Sequence, residues 1–306
     1  MKKNIALITI VFILGAAAVY ILQSRTDRAG RDEVDRGTAI VYQRIVSMTP
    51  GTTEILYALG LGDRVIGVSS FCRYPPEVRN KVNVGGYLDP NYEAIAALES
   101  DLVILLPEQD NVRRYLAELG IASLTVDNKT VDQICSSIRT IGYACGVGQR
   151  ADEIVGDIRS RMQNIRERSV SSHGPRVLIS VERTTGSGSL RDVYAAGKNT
   201  FYDELIIAAG GVNTLEDSSI PYPVLSAEGL LALNPDIIID MIPGLEESGL
   251  DRTALIREWG SVGSVNAVKK NHVYILSDDY IFIPGPRFIL FLENLARIIH
   301  ADDSPK

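Results

Sequence analysis

The chain has 306 residues, 45% of them hydrophobic and 23% charged, with a net charge of −7. That length can bury a large core and suits two domains, and the balance is that of an ordinary globular protein. The acidic balance, with no Lys/Arg cluster interleaved with aromatics, argues against a nucleic-acid binder. Cys72, Cys135 and Cys145 form no CxxC pair, so neither a zinc site nor a disulfide framework is indicated. On one continuous helix Cys135 and Cys145 would lie roughly 15 Å apart, too far to bridge.

Lys2 and Lys3 precede an apolar run over residues 5–22. Two readings stand: a signal peptide cleaved near residues 16–18, or a run just long enough to remain as a membrane anchor. In both, the lysines stay inside and the globular body is exported. No cysteine follows until Cys72, which excludes a lipid-anchored N-terminal cysteine. Residues 25–37 are polar and charge-mixed, as in a flexible tether.

From residue 39 the pattern alternates. Strands are expected at 44–48, 65–68, 102–106 and 123–126, with a short strand and turn at 83–87. Helices are expected at 53–59, 91–98, 111–119 and 131–143. This βα series predicts a largely parallel sheet with helices on both faces. Residues 150–170 then carry Ile154, Val155, Ile158, Met162 and Ile165, one stripe on a helix whose other faces are polar. About twenty residues give a rod roughly 30 Å long, long enough to join two lobes. The series restarts with strands at 176–181, 236–240 and 272–276. Its helices are expected at 200–209, 226–233, 250–259 and 286–300.

The halves echo each other. Residues 93–107 (EAIAALESDLVILLP) align without gaps to residues 228–242, pairing Glu93 with Glu228 and Asp101 with Asp236, the second proline, Pro243, coming one position later. Each is a helix, an Asp-led turn, a buried strand and a proline. Any βα repeat gives some chance matches; an ungapped match of this length favours two similar lobes.

Ligands of open parallel sheets bind beyond the carboxyl ends of the strands. On the first half this places Pro50, Phe71, Tyr74 and Tyr87 at a cleft, and on the second Arg183, Tyr194, Tyr222 and Tyr280. Any one of these tyrosines is more simply a residue packed over a sheet edge. As a group, the aromatics suit a large, flat, partly apolar ligand. Catalysis finds little support. His173, His272 and His300 all fall in the second half, and no Ser-His-Asp order, HExxH or GxxxxGK[ST] occurs. Gly186-Ser-Gly-Ser lacks a following helix and reads as a turn. A protein-only transition-metal site is not expected. Cys72 could ligate a metal carried by a cargo, but such a residue is more often merely small and semi-buried.

The stretch RIVSMTPGTTEILYALGLGDRVIGVSSFCRYPPEV from Arg44 resembles the substrate-binding proteins of ABC importers for cobalamin, haem and iron-siderophores. The resemblance continues through VGGYLDPNYEAIAALESDLVILL and AGGVNTLEDSSIPYPVLSAEGLLALNPDIII to PGPRFILFLENLARIIHAD. It implies two α/β lobes with largely parallel sheets joined by a single long interlobe α-helix, and a rigid clamp with small hinge motion. It implies binding without catalysis, and no resident cofactor, although the cargo itself can carry cobalt or iron. Its two docking glutamates match Glu54 and Glu228, which would meet arginines on the membrane subunits. The same residues also suit the first turn of a helix, where the dipole favours acids. Gly51 stands where the family usually has serine. The Tyr74-Pro-Pro and Gly85-Gly86-Tyr87 stretches are nearest the cobalamin branch, in which Tyr87 would pack on the corrin. The tryptophans of some members have no counterpart, since Trp259 lies in a late helix. Haem or a ferric chelate fits the same aromatic cleft.

The expected organisation is therefore a signal peptide or anchor at 1–24, a linker at 25–38, lobes at 39–148 and 172–306, and an interlobe helix at 149–171. The expected function is an exported, monomeric, corrinoid-binding protein serving an ABC importer. Haem or a ferric siderophore is the alternative cargo. An extracytoplasmic α/β enzyme and a membrane-tethered sensor are the alternatives of other classes.

Overall fold

A computed structural model of the chain describes residues 41–169 and 174–301. The N-terminal apolar run, the tether and His173 lie outside the described residues. Among those described, no helix is long and apolar enough to cross a membrane.

The first half builds a five-stranded sheet in the order β3-β2-β1-β4-β5. Its strands are β1 (Ile45–Ser47), β2 (Val65–Val68), β3 (Val82–Asn83), β4 (Leu102–Leu105) and β5 (Ser123–Thr125). All four pairings are parallel. β1 and β4 are buried throughout, as a sheet covered on both faces requires. The covering helices are α1 (Pro50–Ala58), α2 (Tyr92–Ala97), α3 (Asp110–Glu118) and α4 (Val131–Ala144). α1 starts earlier than residue 53 because Thr49 caps it through the Thr52 N–H and Pro50 fills its first position.

α5 (Gly148–Arg168) follows, 21 residues long. Of the predicted stripe, Val155 and Ile158 are buried, joined by Ala151, while Ile154, Met162 and Ile165 are partly buried against the same core. Arg166 and Arg168 in the last turn complement the helix dipole.

The second half holds β6 (Arg176–Thr184), β7 (Arg191–Ala195), β8 (Val212–Asn213), β9 (Val224–Leu225), β10 (Ile237–Met241) and β11 (Val273–Leu276). Their order is β11-β10-β6-β7-β9, with β8 also pairing with β6. The β11, β10, β6 and β8 pairings are parallel, whereas β6–β7 and β7–β9 are antiparallel. The second sheet is therefore mixed. Residues 185–190, including the glycine-rich turn, close a β6–β7 hairpin. The helices are α6 (Phe201–Ala208), α7 (Ala227–Leu233), α8 (Leu245–Ser248), α9 (Arg252–Glu258), α10 (Asn266–Lys269) and α11 (Phe288–Ile299).

One apolar cluster runs from Ile45 and Ile104 through Ile138, Val155 and Ile158 to Val177, Leu205 and Phe291. The two sheets share this core, and the chain from Tyr42 onward forms one compact unit. All three cysteines are buried and unbridged.

Candidate functional site

The floor of the site is the start of α1. Ser47, Thr49, Thr52 and Thr53 are buried and bond one another, Thr53 Oγ1 lying 2.8 Å from Ser47 Oγ and 3.1 Å from Cys72 Sγ. Ser69 Oγ is 3.2 Å from the same sulfur. Burial pushes the Cys72 thiol up, against those hydrogen bonds, so it is held as a neutral thiol.

One turn further, Glu54 is only 3% exposed. Its carboxylate accepts two bonds from Arg287, from Nε at 3.0 Å and Nη2 at 2.5 Å. Arg287 precedes α11 and belongs to the other half. It also donates to Asp279 from Nη1 at 2.9 Å and Nη2 at 3.0 Å. Its guanidinium stacks 3.7 Å from the Tyr74 ring centroid and lies 5.9 Å from that of Tyr280. Burial works against the Arg287 charge, yet the bonds to Glu54 and Asp279 outweigh it and hold the proton more firmly than on a free guanidinium. Burial lifts the Glu54 carboxyl above its ordinary value, with Arg287 drawing it partly back. Glu54 is thus the titrating member of the pair.

The structure thereby gathers Glu54, Tyr74 and Tyr280 around Arg287. Pro50 begins the helix that supplies Glu54. Phe71, 62% exposed, stands beside Gly86, where an added Cβ would meet its ring at 3.5 Å. Tyr87 is half-buried, and its hydroxyl donates to Glu108 Oε2 at 3.4 Å. Glu108 in turn pairs with Lys129. Burial, then the Glu108 charge, pushes the Tyr87 hydroxyl up, opposing a phenolate there. On the second half Tyr194 lies on β7 opposite Glu182 and Val224, and Tyr222 lies in the loop before β9. Both rings are exposed.

Arg183 is a correction. β6 continues to Thr184, and strand alternation turns Arg183 inward between exposed Glu182 and Thr184. Its fully buried guanidinium donates to Asp240 at 2.8 Å and Glu258 at 2.5 Å, and Trp259 Nε1 donates to the same Asp240 oxygen at 2.9 Å. It is an internal structural cation and is not presented to a cleft.

Glu54 is a second correction, because docking needs an exposed carboxylate and this one is buried in an ion pair. Glu228 is exposed in the first turn of α7, capped by Ser226. Glu93, its partner in the internal repeat, is likewise exposed in the first turn of α2, capped by Asn91. Among the described residues, no group of three or more His, Cys, Asp or Glu is placed to hold a metal ion. Arg287 was missed as a site residue. Its one sequence signal is a cation directly before an apolar helix, with a partner too distant to infer.

Comparison with known proteins bears on this architecture. Residues 45–280 match the family model described as "Periplasmic binding protein". An ABC transporter substrate-binding lipoprotein of Bacillus subtilis, YvrC, named as uncharacterized, is 32% identical over 85% of this chain and 81% of that protein. A vitamin B12-binding protein of Vibrio cholerae is 28% identical over 83% of this chain and 87% of its own length. Among solved structures, the periplasmic vitamin B12 binding protein BtuF of Vibrio cholerae superposes with a TM-score of 0.71 at 26% identity, covering 86% of this chain and 99% of that one. The periplasmic heme-binding protein RhuT of Roseiflexus gives 0.72 at 27%, with the same coverage. Two sheets flanking one long helix, aromatic loops at their carboxyl ends and a match over most of the body agree: the chain belongs to the periplasmic binding protein family, whose members bind substrates without transforming them.

Proposed function

We propose that the protein captures a corrinoid outside the cytoplasmic membrane and presents it to an ABC importer. The carrying observation is the set of exposed aromatic rings on both halves: Phe71 and Tyr74 in the loop after β2, Tyr194 on β7 and Tyr222 in the loop before β9. Such faces suit a flat macrocycle. Tyr87 and Tyr280 extend them, and Pro50 anchors the floor. The halves 39–148 and 172–306 act as jaws about the helix. Relatives of similar likeness whose names give vitamin B12 and haem support a tetrapyrrole. An absorbance titration with cyanocobalamin, cobinamide, haemin and ferric siderophores should give one-to-one binding with a corrinoid, by a chain acting as a monomer. Binding of haemin or a ferric siderophore alone would move the assignment to that cargo, and no binding to any tetrapyrrole would remove it.

Docking onto the membrane subunits falls to Glu228 and, in place of Glu54, Glu93. Each projects from an exposed, capped first helical turn, and the internal repeat makes them counterparts. The double variant Glu93→Gln/Glu228→Gln should abolish uptake while leaving cargo affinity unchanged. Normal uptake by that variant would refute the docking assignment.

A further inference from the structure

We propose that Arg287 is a latch between the two halves, a positioning residue that must let go before cargo can leave. The cargo part of this rests on the reading of the chain as a carrier; the latch itself does not. Arg287 and Glu54 are 233 positions apart, one beside each sheet, and meet through two hydrogen bonds. Asp279 holds the guanidinium from its own half, and Tyr74 of the opposite half covers one of its faces. A planar guanidinium held by two carboxylates and a ring has a fixed orientation, which a lysine could not reproduce.

The backbones meet at the same point. A Cβ on Gly285 would come within 3.2 Å of Glu54 Oε2 and 3.3 Å of Gly51 Cα, and one on Gly51 within 2.5 Å of the Pro284 carbonyl. Beside this contact the halves are not packed. A cavity of about 810 Å³ opens there, walled by Glu54, Tyr57 and Tyr74 from the first half, Arg161 of α5, and Arg287 and Leu290 from the second. Arg161 ties α5 to α11 through two 2.8 Å bonds to Glu293. The geometry is a hinge anchored along α5, with the halves also tied where the Val131 N–H donates to Glu204 Oε2 at 2.8 Å, and a clasp at Arg287 beside open space.

The test uses the cargo-free protein with spin labels at Leu119→Cys and Ile256→Cys, exposed positions on the first and second halves. Wild type should give one narrow inter-label distance. Arg287→Met should broaden and lengthen it, and Arg287→Lys should not restore it. Should Arg287→Met fail to fold by circular dichroism, Glu54→Gln/Arg287→Met removes both charges and carries the same expectation. A folded variant with the wild-type distribution overturns the latch. With the tetrapyrrole that wild type binds, cyanocobalamin or haemin, dissociation from Arg287→Met should quicken about tenfold. An unchanged rate overturns the link to cargo release. If no tetrapyrrole binds while the distance still broadens, the functional reading fails and the latch stands.

Discussion

Gly51 offers a sharp test of how closely the halves meet. It is the second residue of α1, and its backbone does not require glycine. In a helix, replacing glycine by alanine ordinarily stabilises by about 1 kcal/mol. Here the sign should reverse. An added Cβ would stand 2.5 Å from the Pro284 carbonyl oxygen and 3.0 Å from Asn128 Nδ2. Carbon–oxygen contacts settle at about 3.3–3.6 Å, so the carbonyl must retreat by roughly 0.8–1.1 Å. That carbonyl is backbone, three residues from the Arg287 clasp, and cannot swing aside as a side chain would. Overpacking of this kind costs about 1–3 kcal/mol, enough to cancel or exceed the helical gain. For a domain of this size each kcal/mol moves the melting temperature by about 2–4 °C. Thermal unfolding of wild type, Gly51→Ala and Gly51→Ser by circular dichroism should therefore show both variants melting lower, serine lowest. Gly51→Ala melting above wild type would refute the reasoning, because the contact would then be yielding.

Three further outcomes follow from the buried charges and thiols. Because burial raises the folded-state value of Glu54, its contribution to stability is whole below the ordinary 4.5 and is lost as pH rises through the raised value. Denaturant midpoints between about pH 4 and about pH 7 should thus fall less in Glu54→Gln than in wild type, and parallel profiles would dismiss the shift. Arg183→Met strands Asp240 and Glu258 and should cost about 3–5 kcal/mol in urea denaturation without altering cargo affinity in the folded fraction; a loss of affinity alone would return Arg183 to the cleft. Burial lifts the Cys145 thiol to about 11, and Cys72 and Cys135 are also raised, so a thiol reagent at about pH 8 should label none in the native protein and all three in denaturant. Rapid native labelling would contradict the burial.

Much of this fold is readable from local pattern. Residues 102–105 and 237–241 are short apolar runs led by Asp101 and Asp236, and the structure makes them central parallel strands. The stripe of α5 is visible because helical spacing repeats over several turns. What escaped has physical reasons. β7, β8 and β9 are short, and β7 carries Arg191 and Asp192, so no run of apolar residues announced the antiparallel part of the second sheet. Arg183 looked like a loop residue because the apolar run ends at Val181, although the strand continues to Thr184. The Glu54–Arg287 pair has no local signature, since its members meet only after both halves fold. The repeat pairs Glu93 with Glu228 in the sequence, but their exposure, like the burial of Glu54, is set by neighbours that only the fold brings together.

The core that passes unbroken from Ile104 through Val155 and Ile158 to Val177 and Phe291 has a consequence for unfolding. Neither sheet can lose its layer against α5 without uncovering apolar surface that belongs equally to the other. Melting should therefore be a single event, with calorimetric and van't Hoff enthalpies in agreement, where two independently cored lobes would melt in sequence.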